Sequence, residues 1–223
     1  MIKKILLIAR RNDSTSKKII NFLKKKKVKL NILWSNKPNE ELKINKIYDY
    51  ILSYRSYYIF KKKDLKNKKT IIINFHPGPP KYRGFGCGNY AIWNKDKEYA
   101  CTAHLINQKI DNGKIFDVKK FPIEDNINLN TLLKKTYQKQ LLQFKKCINL
   151  ILKDKNNLNT MIKKSKKYSW SKKLYTKKQL DKFYEINPKL KKIELERKIR
   201  SIKLENEKFK PYIMIHKRKF VLH

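Results

Sequence analysis

Glycine and proline are scarce in this chain, at five and seven of 223 residues. Glycine is the residue that tolerates left-handed backbone and close approach, so a chain this poor in it should spend it where geometry is demanding. All five glycines (Gly78, Gly84, Gly86, Gly88, Gly113) and three of the prolines (Pro77, Pro79, Pro80) fall between residues 77 and 113. Cysteine is sparser still. Cys87, Cys101 and Cys147 are odd in number and widely spaced, which excludes a disulfide framework. A zinc set drawn from His76, Cys87, Cys101 and His104 fails on strand alternation, which sends positions 101 and 104 to opposite faces, so no metal is expected. No apolar run reaches the roughly 18–20 residues of a membrane span. The opening Met1-Ile2-Lys3-Lys4 leads into a short apolar stretch with no cleavage-site pattern. The expectation is a cytoplasmic protein without a membrane partner.

Acidic residues and arginine are also short. Against 57 Lys and Arg stand 18 Asp and Glu, a formal charge of +39, yet only seven of the basic residues are arginine (10, 11, 55, 83, 197, 200, 218). A basic chain invites a nucleic-acid reading, but bidentate phosphate and base contacts are the work of arginine. Lysine here is spread over nearly every segment instead of one stripe. The charge therefore points to a composition bias, with non-specific affinity for polyanions and no specific nucleic-acid partner.

What is present alternates in period. Lys4 to Ala9 is a continuous apolar run of buried-strand type, followed by a polar loop and a helical pattern with Ile19, Ile20 and Leu23 on one face. Further strands are expected at Lys29–Trp34, Tyr48–Leu52 and Thr70–Phe75, the last stopped by His76-Pro77. Strand–helix alternation with continuous apolar strands predicts an α/β fold on a parallel sheet covered on both sides, with ligands at the carboxyl ends of the strands. After a helix near Asn89–Asn94 come a strand at Tyr99–Ile106, a turn at Asp111-Asn112-Gly113 and a strand at Lys114–Val118. A long helix from Asn128 to Leu152 carries Leu133, Tyr137, Leu141, Phe144, Ile148 and Ile151 on one face. One domain is expected over residues 1–152. Residues 153–223 form a small α+β appendage, with a capping box at Thr176, a helix at Leu190–Ile202 and a hairpin of Tyr212–His216 with Lys219–His223.

Asn74, His76 and Asp111 are the candidate catalytic residues. Asn74 and His76 lie two apart at a strand end, so they point the same way. An amide donates to a carbonyl oxygen that is gaining charge, an imidazole exchanges a proton near neutral pH, and a carboxylate orients the imidazole. Acyl transfer to an amine needs those three roles.

The string from Asn74 through His76-Pro77-Gly78-Pro79-Pro80-Lys81-Tyr82-Arg83 to Gly84, then Thr102-Ala103-His104 and Asp111-Asn112-Gly113, resembles the 10-formyltetrahydrofolate-dependent formyltransferases. The likeness covers about residues 1–125. It implies a Rossmann-like formyltransferase domain and 10-formyltetrahydrofolate as co-substrate. In it Asn74 and His76 stabilise the tetrahedral intermediate and manage the amine proton, while Asp111 positions His76 and relays protons through water. The pterin is expected beside Asn107, Gln108, Lys109 and Ile110, with Tyr57 on a second folate loop; His104 either buttresses the Asp111 turn or takes part. Within the family, Phe75-His76-Pro77-Gly78-Pro79-Pro80, its continuation to Asn89-Tyr90-Ala91, and a tail carrying Trp170-Ser171, Leu174-Tyr175-Thr176, Arg197, Arg200 and Pro211-Tyr212 look like the sugar N-formyltransferases. These act on nucleotide-linked amino sugars destined for surface polysaccharide such as O-antigen. Expected substrate contacts are then Arg10, Lys81, Tyr82, Arg83, Gly84 and Tyr90, the basic ones toward the nucleotide diphosphate and Tyr82 or Tyr90 stacking on base or sugar. The alternatives are an enzyme that formylates methionyl-tRNA, which usually carries a larger C-terminal domain, or one that formylates glycinamide ribonucleotide, whose glycine-rich loop Arg10 to Ser14 lacks. A homodimer stays open.

Overall fold

The computed structural model describes residues 2–37, 40–204 and 210–221. Strand β1 (Lys3–Ala9) leads to helix α1 (Ser14–Lys24), whose N-cap is Asp13: its carboxylate accepts from the amide of Ser16 at 2.7 Å. Strand β2 (Val28–Trp34) follows. The polar stretch after Trp34 has no helical periodicity, and among the described residues the chain passes to β3 (Tyr50–Tyr54) without a helix. A 3-10 turn at Lys62–Leu65 precedes β4 (Ile71–His76). These strands are parallel, β2–β1–β3–β4 in order.

Beyond β4 the sheet changes direction. The two-residue strand β5 (Arg83–Gly84) and helix α2 (Cys87–Trp93) lead into β6 (Glu98–Leu105), antiparallel to β4, and then β7 (Ile115–Pro122), antiparallel to β6. Seven residues of helix rise only about 10 Å, too little to carry the chain back along a six-residue strand. The next strand must start at the end where the last one stopped. The sheet is therefore mixed, with a parallel majority, in place of the wholly parallel one expected.

Alternation along the strands divides the two faces. Ile5, Leu7, Ala9, Tyr50, Leu52, Tyr54, Ile73, Phe75 and Ala103 pack with Ile19 and Leu23 of α1 and with Phe144, Cys147, Ile148 and Ile151 of α3 (Leu129–Lys153). Helix α4 (Asn156–Lys164) adds Leu158 to the same core. On the other face Leu6, Ile8, Ile51 and Ile72 are covered by Tyr48, Tyr58 and Phe60, from irregular segments. The helices of that core, α1, α3 and α4, lie on one face. The remaining chain forms β8 (Leu174–Tyr175), paired with β5, then α5 (Lys177–Phe183) with the expected capping box between Thr176 and Gln179, α6 (Lys192–Ile202), and the hairpin β9 (Tyr212–Ile215) and β10 (Arg218–Val221). Leu222 and His223, expected at the end of the hairpin, lie outside the described residues. Among the described residues no helix is long and apolar enough to cross a membrane.

Candidate active site

The loop-covered face carries the chemistry. Asn74 of β4 pairs with His104 of β6, and His76 pairs with Thr102, so these four side chains share one side of the sheet. The loop after β6 folds back over them and delivers Asp111. Its carboxylate lies 3.3 Å from His76 Nδ1 and 3.5 Å from His104 Nε2, and accepts from the amide of Gly84 at 2.9 Å. The Asn74 side-chain amide donates to His104 Nε2 at 3.1 Å and to Asp111 Oδ1 at 3.4 Å. Turning that amide over would set its oxygen against the carboxylate, which fixes its orientation. His104 Nδ1 donates to the carbonyl of Leu105 at 2.8 Å, leaving Nε2 as the acceptor that Asn74 requires.

His76 is buried, and both ring nitrogens meet acceptors: Nδ1 the Asp111 carboxylate, Nε2 the carbonyl of Tyr82 at 2.9 Å. Burial alone pushes an imidazole pKa down, but here the Asp111 carboxylate outweighs it and, with Cys87 and the Tyr82 carbonyl, raises His76 to about 9. Burial likewise opposes the charge on Asp111, and the His76 imidazolium, helped by the Gly84 amide, overcomes it, holding the carboxyl well below the usual range. The pairing thus favours imidazolium and carboxylate over the neutral pair.

The turn bearing Asp111 is held from outside. Asp111 sits at φ 42°, a left-handed conformation uncommon for a residue with a side chain. Arg83 pins it: Nε donates to the Asp111 carbonyl at 2.7 Å, Nη2 to that of Ile110 at 2.8 Å and Nη1 to that of Ser171 at 3.0 Å. A Cβ at Gly113 would lie 1.6 Å from the Leu105 carbonyl oxygen, so only glycine lets the turn close onto β6. Gly78 packs against the other side of His76, where a Cβ would meet Nε2 at 2.7 Å.

Several expected ligand contacts are spent within the protein. Arg83 is buried with its guanidinium committed to those carbonyls, so it cannot serve a phosphate. Tyr82 is 1% exposed, its hydroxyl donating to Asp96 at 2.8 Å and its ring packed against Tyr90 and Tyr175. Tyr90 is buried with its ring 4.0 Å from that of Tyr175. Neither tyrosine has a free face for a base or sugar. Gly84 gives its amide to Asp111. Lys81 is exposed and pairs with Asp96 at 2.7 Å. Arg10 stacks on Tyr57, guanidinium carbon 3.8 Å from the ring centroid, so two residues expected at different ligands form one unit. Asn107, Gln108, Lys109 and Ile110 form an exposed loop, with Asn107 Oδ1 accepting from the Lys109 amide at 2.9 Å. Sequence reasoning gave Trp170 no place in the site. Its indole N–H donates to the Gly113 carbonyl at 2.7 Å, and a tryptophan isolated in a lysine-rich tail was the available signal.

Comparison with known proteins decides what this geometry belongs to. Residues 49–143, spanning β3 to the middle of α3 and including Asn74, His76 and Asp111, match the Formyl transferase family. The match covers less than half of the chain. A methionyl-tRNA formyltransferase from Finegoldia magna is 30% identical over 113 residues, covering 50% of this chain and 34% of that relative; the chain spans about a third or less of the curated relatives it matches. Among solved structures, a 4-N formyltransferase from Francisella tularensis superposes with a TM-score of 0.77 at 22% identity, covering 99% of this chain and 96% of that one. An N-formyltransferase from Helicobacter canadensis, in complex with folinic acid and dTDP-3-aminofucose, superposes with a TM-score of 0.69 at 21% identity, covering 98% and 86%. At these identities the likeness is one of fold. That likeness in fold runs along almost the whole chain.

Proposed function

We propose that the protein transfers a formyl group from 10-formyltetrahydrofolate to the amine of a nucleotide-linked amino sugar, in the cytoplasm, as a step toward surface polysaccharide such as O-antigen. The observation that carries this reading is the convergence of Asn74, His76 and Asp111 on one face of the sheet. The Helicobacter canadensis neighbour, solved with dTDP-3-aminofucose, supports a sugar over a tRNA. Residues 1–152 carry the chemistry and residues 153–223 are an accessory region.

The residues suit both ligands. Beside Asp111, the exposed amides of Asn107 and Gln108 and the side chain of Ile110, 38% exposed, offer polar edges and an apolar surface to a pterin, with Lys109 at the rim. Arg10 keeps Nε buried without a hydrogen-bond partner, which a diphosphate oxygen would satisfy, and Tyr57 supports it. Lys81 adds an exposed charge. The folate supplies the formyl carbon.

The chain's own groups do the rest. His76, held as an imidazolium by Asp111, stabilises negative charge on the carbonyl oxygen as the amine adds. Asn74 contributes one N–H; its 3.4 Å contact to Asp111 is the weaker of its two and is the one released to that oxygen. Asp111 keeps His76 charged and orders the water that relays the proton shed by the attacking nitrogen to N10 of the departing tetrahydrofolate, as the C–N10 bond breaks and the carbonyl re-forms. Titration with folinic acid and with a dTDP-linked amino sugar tests the assignment. Saturable binding of both, the sugar weakened by Arg10→Ala, is expected; binding of neither overturns it. The runner-up reading, formylation of methionyl-tRNA, draws on the curated relatives with that activity and forecasts tighter binding to aminoacyl-tRNA than to the sugar.

A further inference from the structure

We propose that Trp170, from beyond the sheet, is a positioning residue of the active site, fixing the Asp111 turn through Gly113 and shutting water out from His76 and His104. The inference rests on the formyl-transfer reading for its kinetic part only.

Residues 170–176 lie across the catalytic loop as a strap. The Ser171 amide donates to the Pro80 carbonyl at 3.0 Å, the Ser171 carbonyl accepts from Arg83, and Leu174–Tyr175 pair in parallel with Arg83–Gly84. The amide of Phe85 donates to the Tyr175 carbonyl at 3.0 Å. Pro80, Tyr82, Arg83, Gly84 and Phe85 thus each meet the strap.

Trp170 brings its ring against the two imidazoles of the site. Its ring stands edge-on to His104, centroids 4.9 Å apart at 83°, and to His76, 5.8 Å at 73°. Its N–H closes on the carbonyl of Gly113, two residues from Asp111. A half-buried tryptophan flanked by Lys166, Lys167, Lys172 and Lys173 has no solubility purpose; what it covers explains it. Two consequences follow. The turn is clamped from both sides, by Arg83 on the carbonyls of residues 110 and 111 and by Trp170 on that of residue 113. The attraction between His76 and Asp111 acts in a medium from which the indole excludes water, where it is stronger than in a wet cleft.

The test uses the full chain with Trp170→Ala and Trp170→Phe. The groups facing His76 are Asp111, Cys87 and the Tyr82 carbonyl, with His104 across Asp111, and all are retained in both variants. Following the His76 imidazole by NMR, Trp170→Ala should move its titration from about 9 toward the ordinary value of ~6.5, because water weakens the pairing. Trp170→Phe restores the wall without the N–H, so the titration should recover while the turn loosens. Formyl transfer by Trp170→Ala should lose roughly 10- to 100-fold in kcat with the donor KM within about 2-fold, and Trp170→Phe should recover part of it. Should Trp170→Ala fail to fold, Trp170→Phe alone decides: wild-type kcat overturns the clamp. An unchanged His76 titration in Trp170→Ala overturns the wall. If the wild-type protein formylates nothing, the reading of function fails while the titration still judges Trp170.

Discussion

His76 Nδ1 lies 3.3 Å from Asp111 Oδ2, with both side chains nearly sealed from solvent. The ring's other nitrogen faces a carbonyl, so neither nitrogen is left to accept, and the charged form is the one the surroundings stabilise. In the proposed reaction His76 acts as a fixed positive charge.

The pH profile follows from that sign. Below the pKa of the substrate amine the nucleophile is protonated, so the rate rises with pH through the amine's ionisation. His76 stays charged until about 9, and above it the charge opposing the oxyanion is lost. Initial rates measured between about pH 6 and 10 should trace a bell with its falling limb near 9; a rate that keeps rising would return His76 to the role of base.

Asp111→Asn removes the charge that overrides burial, so His76 should become neutral at pH 8. The replacement can still accept from the Gly84 amide. Turnover is expected to fall by roughly 10²- to 10⁴-fold, with affinity for 10-formyltetrahydrofolate changed only a few-fold. Normal turnover with lost donor affinity would reassign Asp111 to folate binding.

Arg83→Lys separates a brace from a phosphate ligand. One ammonium cannot reach the three carbonyls that the guanidinium holds. The variant should lose about 2 kcal/mol of stability in urea unfolding and show a lower kcat. A rise in the KM for nucleotide-sugar, at unchanged stability, is what a phosphate-binding arginine would give.

Lys198 is buried on α6 with its ammonium 3.4 Å from the centroid of the Phe183 ring, and burial lowers its pKa to about 8. Its folded pKa lies below its unfolded one, so its stability contribution improves as pH rises from about 8 toward ~10.4. Lys198→Met, with a thioether against the rings, should be more stable than wild type by about 1 kcal/mol near pH 7. The gap should narrow near pH 10, as read from paired urea melts.

Much of this was legible in the residues. Continuous apolar runs located β1 to β4, and the crowding of glycine between Gly78 and Gly113 marked the loop around His76 and the Asp111 turn. Helix α4 escaped notice because only Leu158, Met161 and Ile162 are apolar in its nine residues. On α3, apolar periodicity chose Leu133, Tyr137 and Leu141, whereas Gln140 and Gln143 are fully buried, donating to the carbonyls of Phe75 at 2.6 Å and Cys101 at 3.1 Å. A pattern that counts only apolar residues cannot register them. Tyr82, Tyr90 and Arg83 looked like loop residues open to a ligand. They are buried by Tyr175 and Ser171, some 80 to 90 positions away, and no local spacing announces that.

The central claim meets its most direct test in a competition. The full-length protein is given 10-formyltetrahydrofolate together with a dTDP-linked amino sugar and charged initiator tRNA at equal concentration, and each acceptor is analysed by mass spectrometry for an added formyl group. The account expects formylated sugar, with tetrahydrofolate released in equal amount, and loss of the product in His76→Ala. Formylated tRNA with unmodified sugar, or sugar product undiminished in His76→Ala, would contradict it.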